Sequence, residues 1–282
     1  MRAPGRLVLS AVAAVLAAPA QAACPDTAAV FGYLTDYAAH RPSKGFGKDL
    51  TAADAACART RLIATFTAVM GQPIGYKALF TNPQSQQRFA MDGPAWGAMF
   101  DTLQADGARL PAAFGAVPRF EADFVVVVKD PALAEAADAA AALSHIEAVV
   151  PFIELPDLMI EDSPTGLELV ATNAAFRSGV LGGRIAVADP AAMYQALGAM
   201  QVVVEENGVE LGREAGSALM GNPAEAALWL ARALKEAGIA LKPGDLLSLG
   251  GFRASAPAKA GSTITVRYLG LPGDPAVTVH FE

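Results

Sequence analysis

Basic charge is scarce in this chain: 21 Lys and Arg stand against 28 Asp and Glu in 282 residues, a net charge of -7. That balance excludes the basic footprint a nucleic-acid binder needs. Cysteine is scarcer still, with only Cys24 and Cys57, and the three histidines (His40, His145, His280) are scattered. A Cys/His zinc site and a cysteine nucleophile with a histidine base are therefore not expected. After the first two dozen residues there is no run of roughly 20 uninterrupted apolar residues, so the body of the chain should not span a membrane. Charged residues make up 17% of the sequence and hydrophobic ones 53%. A disordered chain does not have that composition, and a large core can be built from it. The length suits one large domain or two small ones.

The N-terminus reads as an address. Arg2 and Arg6 precede an apolar run, Leu7 to Ala18, that is too short to cross a bilayer, and Ala20-Gln21-Ala22 is a small-x-small cleavage site. Residues 1–22 are thus expected to be an export signal, with the mature protein periplasmic or secreted. Lipidation of Cys24 is disfavoured because Gln21 stands where a lipoprotein signal would carry Leu. In an oxidising compartment an even cysteine count favours pairing, so a Cys24–Cys57 disulfide is expected, with two separate thiols as the alternative.

Apolar spacing predicts two opening helices. One carries Val30, Phe31, Leu34 and Tyr37; the other runs from a Thr51/Asp54 capping arrangement through Leu62 and Phe66 to Gly71. A further helix is expected from Pro131 to about Leu143, and another from Asn222-Pro223 to Gly238. Strands are predicted at Phe120–Lys129, Val149–Glu154, Val180–Val187, Leu246–Leu249, Thr263–Tyr268 and Ala276–Phe281. Asn207-Gly208 marks a hairpin of type I′ between Val202 and Leu211. Strands dominate without βαβ regularity, which argues for an α+β fold with a mixed or antiparallel sheet roll.

Glu121 and Asp123 lie two apart in a predicted strand, so their side chains share a face. Alone, such a pair also fits a solvated strand end. Glu154 ends another apolar strand, where an unpaired charge would be costly. Three acids converging at strand ends would make a hard-oxygen site for Mg²⁺ or Mn²⁺.

Gly75-Tyr-Lys77, Pro118-Arg-Phe-Glu121-Ala-Asp123, Val149-Val-Pro151-Phe-Ile-Glu154 and the long block Gly212-Arg-Glu-Ala-Gly216-Ser-Ala-Leu-Met-Gly221-Asn-Pro223-Ala-Glu-Ala-Ala-Leu-Trp229-Leu carry a resemblance. Together they resemble the 2-keto-4-pentenoate hydratase branch of the fumarylacetoacetate hydrolase superfamily. The resemblance implies a mixed β-sandwich roll with N-terminal helices: signal 1–22, helical region 23–73 and catalytic domain 74–282. It also implies a homo-oligomer acting on a small-molecule keto acid with Mg or Mn. Glu121, Asp123 and Glu154 fall on the three metal-ligand positions, the middle one usually Glu. Lys77 falls on the acid/base lysine.

The chain also departs from that pattern. Ala95 stands where the family's Pro-Asp-Phe-Gly has its catalytic Asp, with Asp92 three residues earlier as a possible substitute. Ala175 replaces the Ser of Asn-Ala-Ser, and Asn222 replaces a His. Gly250-Gly251-Phe252-Arg253 replaces Gly-Ser-x-Thr, which makes Arg253 a candidate clamp for a substrate carboxylate, with a surface role as its alternative. The implied activity is a lyase hydrating a 2-keto-enoate or 2-hydroxydienoate through an enolate, as in aromatic catabolism. Acylpyruvate hydrolysis and keto-diacid decarboxylation follow the same logic. An exported, catalytically weakened member that only binds a keto acid is the reading from another class.

Overall fold

A computed structural model describes residues 24–282 of the chain, so the expected signal segment 1–22 lies outside the described residues. Helices α1 (Thr27–Ala38) and α2 (Ala52–Met70) come first, and the Thr51/Asp54 capping box that starts α2 is formed in both directions. Cys24 is disulfide-bonded to Cys57 on α2, which ties the start of the described chain to the second helix.

A nine-stranded sheet carries the site. It comprises β1 (Gly75–Leu79), β2 (Ala95–Met99), β3 (Leu103–Ala105), β5 (Arg119–Val128), β6 (Ile146–Leu155), β7 (Ser178–Leu181), β8 (Ile185–Ala186), β11 (Leu246–Ser248) and β12 (Ala256–Pro257). Its main order is β2-β1-β11-β5-β6-β7-β3. A second sheet, of five strands, contains β4 (Ala108–Leu110), β9 (Gln201–Glu206), β10 (Val209–Ala215), β13 (Thr263–Leu269) and β14 (Ala276–Phe281), in the order β10-β9-β13-β14-β4. The main core lies between the sheets: Phe124, Val126 and Ile153 from the first meet Val266, Tyr268 and Val279 from the second. Alternate residues of β5 face the other way. Val125 and Val127 join Tyr33, Leu62 and Phe66 of the opening helices in a separate cluster. This two-sided burial explains why β5 reads as an uninterrupted valine run rather than as alternation.

The valine run and the Asn-Gly turn are legible in the sequence, and Asn207 and Gly208 both take the positive φ, 53° and 79°, that a type I′ turn requires. The helix expected over 131–143 is instead broken into a 3₁₀ turn (Pro131–Glu135), helix α4 (Ala139–Ala142) and a second 3₁₀ turn (Leu143–His145). Asp138 is the cause: its side chain accepts from Ala141 N and starts a new helix where the first would have continued. Likewise the strand expected over 180–187 is split at Gly182-Gly183 into β7 and β8. Helices α3 (Pro83–Phe89), α5 (Gly166–Ala171), α6 (Pro190–Ala199) and α7 (Pro223–Glu236) complete the fold.

Candidate active site

Four neighbouring strands set the floor of the site. Lys77 on β1 pairs in register with Ser248 on β11, β11 runs beside β5, and on β5 Glu121 lies opposite Glu154 of β6. Lys77, Asp123 and Glu154 are buried and Glu121 is half-buried. The ammonium of Lys77 donates to Glu154 Oε1 and, at 3.1 Å, to the carbonyl of Ala174. Asp123 accepts from Ser248 Oγ at 2.6 Å and from the Gly250 amide at 2.9 Å.

Burial opposes charge on every one of these groups, yet not with equal result. Desolvation raises the Glu154 carboxyl to about 8, with Lys77 pulling it down and Glu121 and Asp123 pushing it further up. Glu121 and Asp123 are also raised, chiefly by burial. For Lys77 burial acts downward, but attraction to Glu154 and Glu121 outweighs it and the net shift is upward. A base at neutral pH needs a lowered lysine, and the surrounding carboxyls shift Lys77 the other way.

The turn after α5 presents the Ala174 carbonyl. Asn173, Ala174 and Ala175 all adopt left-handed backbone, with φ of 57°, 58° and 54°. Such residues cost roughly 1–2 kcal/mol each outside glycine. The Asn173 side chain compensates by accepting from Ala98 N at 2.7 Å and donating to Ala98 O at 2.9 Å on β2. Gly97 lets the turn approach, because a Cβ there would sit 2.8 Å from Asn173 O.

Above the floor is a cavity of about 410 Å³ whose lining includes Lys77 and Glu121. Its walls are apolar (Leu79, Phe80, Phe89, Leu158, Leu169), and Arg88, Glu214 and Arg253 also line it. Of the residues singled out in the sequence, Lys77, Glu121 and Arg253 face the cavity, while Asp123 and Glu154 lie beneath it. Ala175 lines it too, so the missing family hydroxyl is missing from the wall itself. Ala95 is elsewhere: it packs against an apolar cluster with Ala55, Ala58 and Phe80, and its methyl gains from burial where a carboxylate would be penalised. Asp92 is exposed and does not line the cavity, so it does not take the place of that acid. Two groups escaped sequence reasoning. Arg88 reaches the cavity from α3, and Thr81 places a buried hydroxyl without a hydrogen-bond partner in its wall. Neither sits in a motif; only the fold shows them.

The donor set fits a hard divalent cation. Glu154 Oε2 is buried with no hydrogen-bond partner, and three carboxyls share a single ammonium. Glu154 Oε1 and both oxygens of Asp123 are held by protein partners, and among the described residues no three His, Cys, Asp or Glu side chains form a ready metal-ligating cluster.

No protein-family model matches the chain. It is, however, 31% identical over 228 residues to the 4-oxalocrotonate decarboxylase of Pseudomonas sp. (strain CF600), covering 79% of this chain and 84% of that one. The chain belongs to the 2-keto-4-pentenoate hydratase branch of the fumarylacetoacetate hydrolase superfamily. Within that family it is also 33% identical over 192 residues to the 2-hydroxyhexa-2,4-dienoate hydratase of Comamonas testosteroni, across 67% of this chain and 71% of the relative. The family fold is evident in space. The 4-oxalocrotonate decarboxylase of Pseudomonas putida G7, complexed with magnesium and adipate, superposes with a TM-score of 0.76 at 25% identity, over 90% of this chain and 95% of that one.

Proposed function

We propose that this family member is a divalent-metal-dependent hydratase acting on a 2-keto-enoate or 2-hydroxydienoate. The observation that carries the reading is the buried Lys77 ammonium set between three carboxyls at the floor of a cavity. Glu121, Asp123 and Glu154 would hold Mg²⁺ or Mn²⁺, which would supply Lewis-acid stabilisation of the charge that develops on a keto oxygen during enolisation. Lys77 keeps its proton at Nζ, aimed by the Ala174 carbonyl, ready for transfer to the substrate carbon chain. The apolar walls exclude bulk water from the unsaturated segment and strengthen these electrostatic interactions.

Metal-stripped protein should be inactive towards 2-hydroxypenta-2,4-dienoate and regain turnover with Mg²⁺, and calorimetric Mg²⁺ affinity should fall sharply in Glu154→Gln. Unchanged affinity in the variant would remove this acid from the site. A pH test needs no turnover. A carboxyl raised in the folded state binds its proton more tightly there than in the unfolded chain, so its favourable contribution is full below the ordinary glutamate range and is lost as pH climbs to about 8. The metal-free protein should therefore lose stability across that window, and Glu154→Gln should lose less, as read by urea midpoints.

We infer further that the protein works outside the cytoplasm. The Cys24–Cys57 disulfide supports this, since such bonds persist in oxidising compartments. N-terminal sequencing of exported protein should begin at Ala23; material beginning at Met1 would sink the idea. Association between copies is supported by β10, an edge strand of the five-stranded sheet that exposes Val209 and Leu211.

A further inference from the structure

Of the three acids at the floor of the site, two are visibly gripped. Glu154 is held by the Lys77 ammonium, and Asp123 by the Ser248 hydroxyl and the Gly250 amide. Glu121 is the one of the three that lines the cavity, and a glutamate tip loses rotamer freedom when it is fixed in one orientation. Its holder comes from a strand that lies off the main order of the sheet. β12 runs antiparallel beside the start of β5, with Ala256 opposite Phe120 and Pro257 opposite Arg119. One step further along that register, Ser255 falls opposite Glu121. Arg119 and Glu121 are two apart on β5, so their side chains leave the same face, and Ser255 bonds to both.

The hydrogen bonds run in one direction. Arg119 Nε donates to Ser255 Oγ at 2.7 Å, and Nη2 of the same guanidinium donates to the Ser255 carbonyl. Arginine has no acceptor and a hydroxyl has a single proton, so Ser255 receives from Arg119 and its own O–H is left to donate onward. The group it reaches is the Glu121 carboxyl, which the Arg119 charge also attracts through space. Two contacts from one planar fork fix both the backbone and the hydroxyl of Ser255, a geometry that the point charge of a lysine does not supply. Ser255 lines the cavity with Glu121, whereas Arg119 lines a neighbouring groove and stands behind the pair.

We propose that Ser255 and Arg119 are positioning residues for Glu121: the guanidinium aims the hydroxyl, and the hydroxyl holds the carboxyl in the orientation from which it ligates a divalent cation. The metal half of this rests on the hydratase reading; the hold on Glu121 does not. A hydrogen bond from behind sets the orientation and basicity of a metal ligand, and losing one typically weakens metal binding by about 10- to 100-fold. Ser255 stands outside the motifs that carry Lys77 and the acids, and it is the pairing of β12 with β5 that brings it to the site.

The test reads Mg²⁺ affinity by calorimetry and the Glu121 side chain in crystals of the metal-free protein, both with the full mature chain. In Ser255→Ala the affinity should fall about tenfold or more and Glu121 should leave its wild-type rotamer, while the urea midpoint stays with the wild type. Ser255→Thr, which keeps the hydroxyl, should bind Mg²⁺ within about threefold of the wild type. Arg119→Lys should weaken binding in the same direction as Ser255→Ala, since one ammonium cannot make both contacts. An unmoved Glu121 in metal-free Ser255→Ala overturns the proposal, as does an unchanged affinity where the wild type binds Mg²⁺. A loss of affinity that Ser255→Thr shares, or that follows a fall in the urea midpoint, marks a packing role and overturns it too. The two readings separate in the metal-free crystals. A wild type that binds no Mg²⁺ defeats the metal-dependent hydratase, and a displaced Glu121 in Ser255→Ala would still establish the hold.

Discussion

Replacing Lys77 with Met should cut kcat for any 2-keto-enoate by about a hundredfold or more, the usual contribution of a positioned proton donor. The same change should weaken the fold, and in a way that depends on pH. The side chain is buried with Glu154 as its direct partner and Glu121 and Asp123 as further neighbours. Removing one partner of a buried pair typically costs about 3–5 kcal/mol because the other charge is left uncompensated. Here the carboxyls can escape the penalty by taking up protons, so the loss should be small near pH 5.5 and large near pH 8.5. Added Mg²⁺ should restore part of it at the higher pH. Urea unfolding at both pH values, with and without metal, reads all of this. A variant equally stable at both pH values would show that Lys77 is not the counter-charge of the cluster.

The second large effect concerns the disulfide. Cys24 and Cys57 are 33 residues apart, and the chain-entropy relation for a loop of that size gives about 3–4 kcal/mol of stabilisation. Cys57→Ala should therefore lower the thermal midpoint by roughly 10 °C for a domain of this length. Dithiothreitol should bring the wild type down to the variant's level and leave the variant unmoved. If reduction does nothing to the wild type, the bond is absent in solution and the support it lends to export goes with it.

Much of the scaffold could be read from the residues because local and global demands agree. The valines of β5 are buried on both faces, Asn207-Gly208 takes the backbone its chemistry favours, and Thr51 caps α2 as its spacing suggests. Reading failed where a single side chain redirected the backbone, as Asp138 does by restarting a helix. It failed again where tertiary bonds overrode propensity. Asn-Ala-Ala would not be guessed left-handed, since alanine favours ordinary helix, and it is held there by tertiary bonds: the grip of Asn173 on Ala98, Lys77 on the Ala174 carbonyl and the Asp157 amide on the Ala175 carbonyl. The site itself was partly legible. Lys77 and the acids stand in recognisable motifs, so their residue types and chain positions could be found, but the upward shift of Lys77 depends on how many carboxyls surround it and that is a matter of geometry. Arg88 was invisible, because its meaning comes only from α3 folding over the cavity.

The glycine at 251 has a consequence for reversibility. A β-carbon there would come within 2.5 Å of Glu121 Oε2, so the carboxylate now leans into the volume that the serine of related sequences would fill. Reinstating that serine would not simply return a lost hydroxyl: it would act as a wedge, evicting the glutamate's flexible tip. A serine side chain at 251 and the present Glu121 tip are thus two alternative fillings of one small space, and Gly251→Ser would have to be accompanied by a swing of the Glu121 carboxylate.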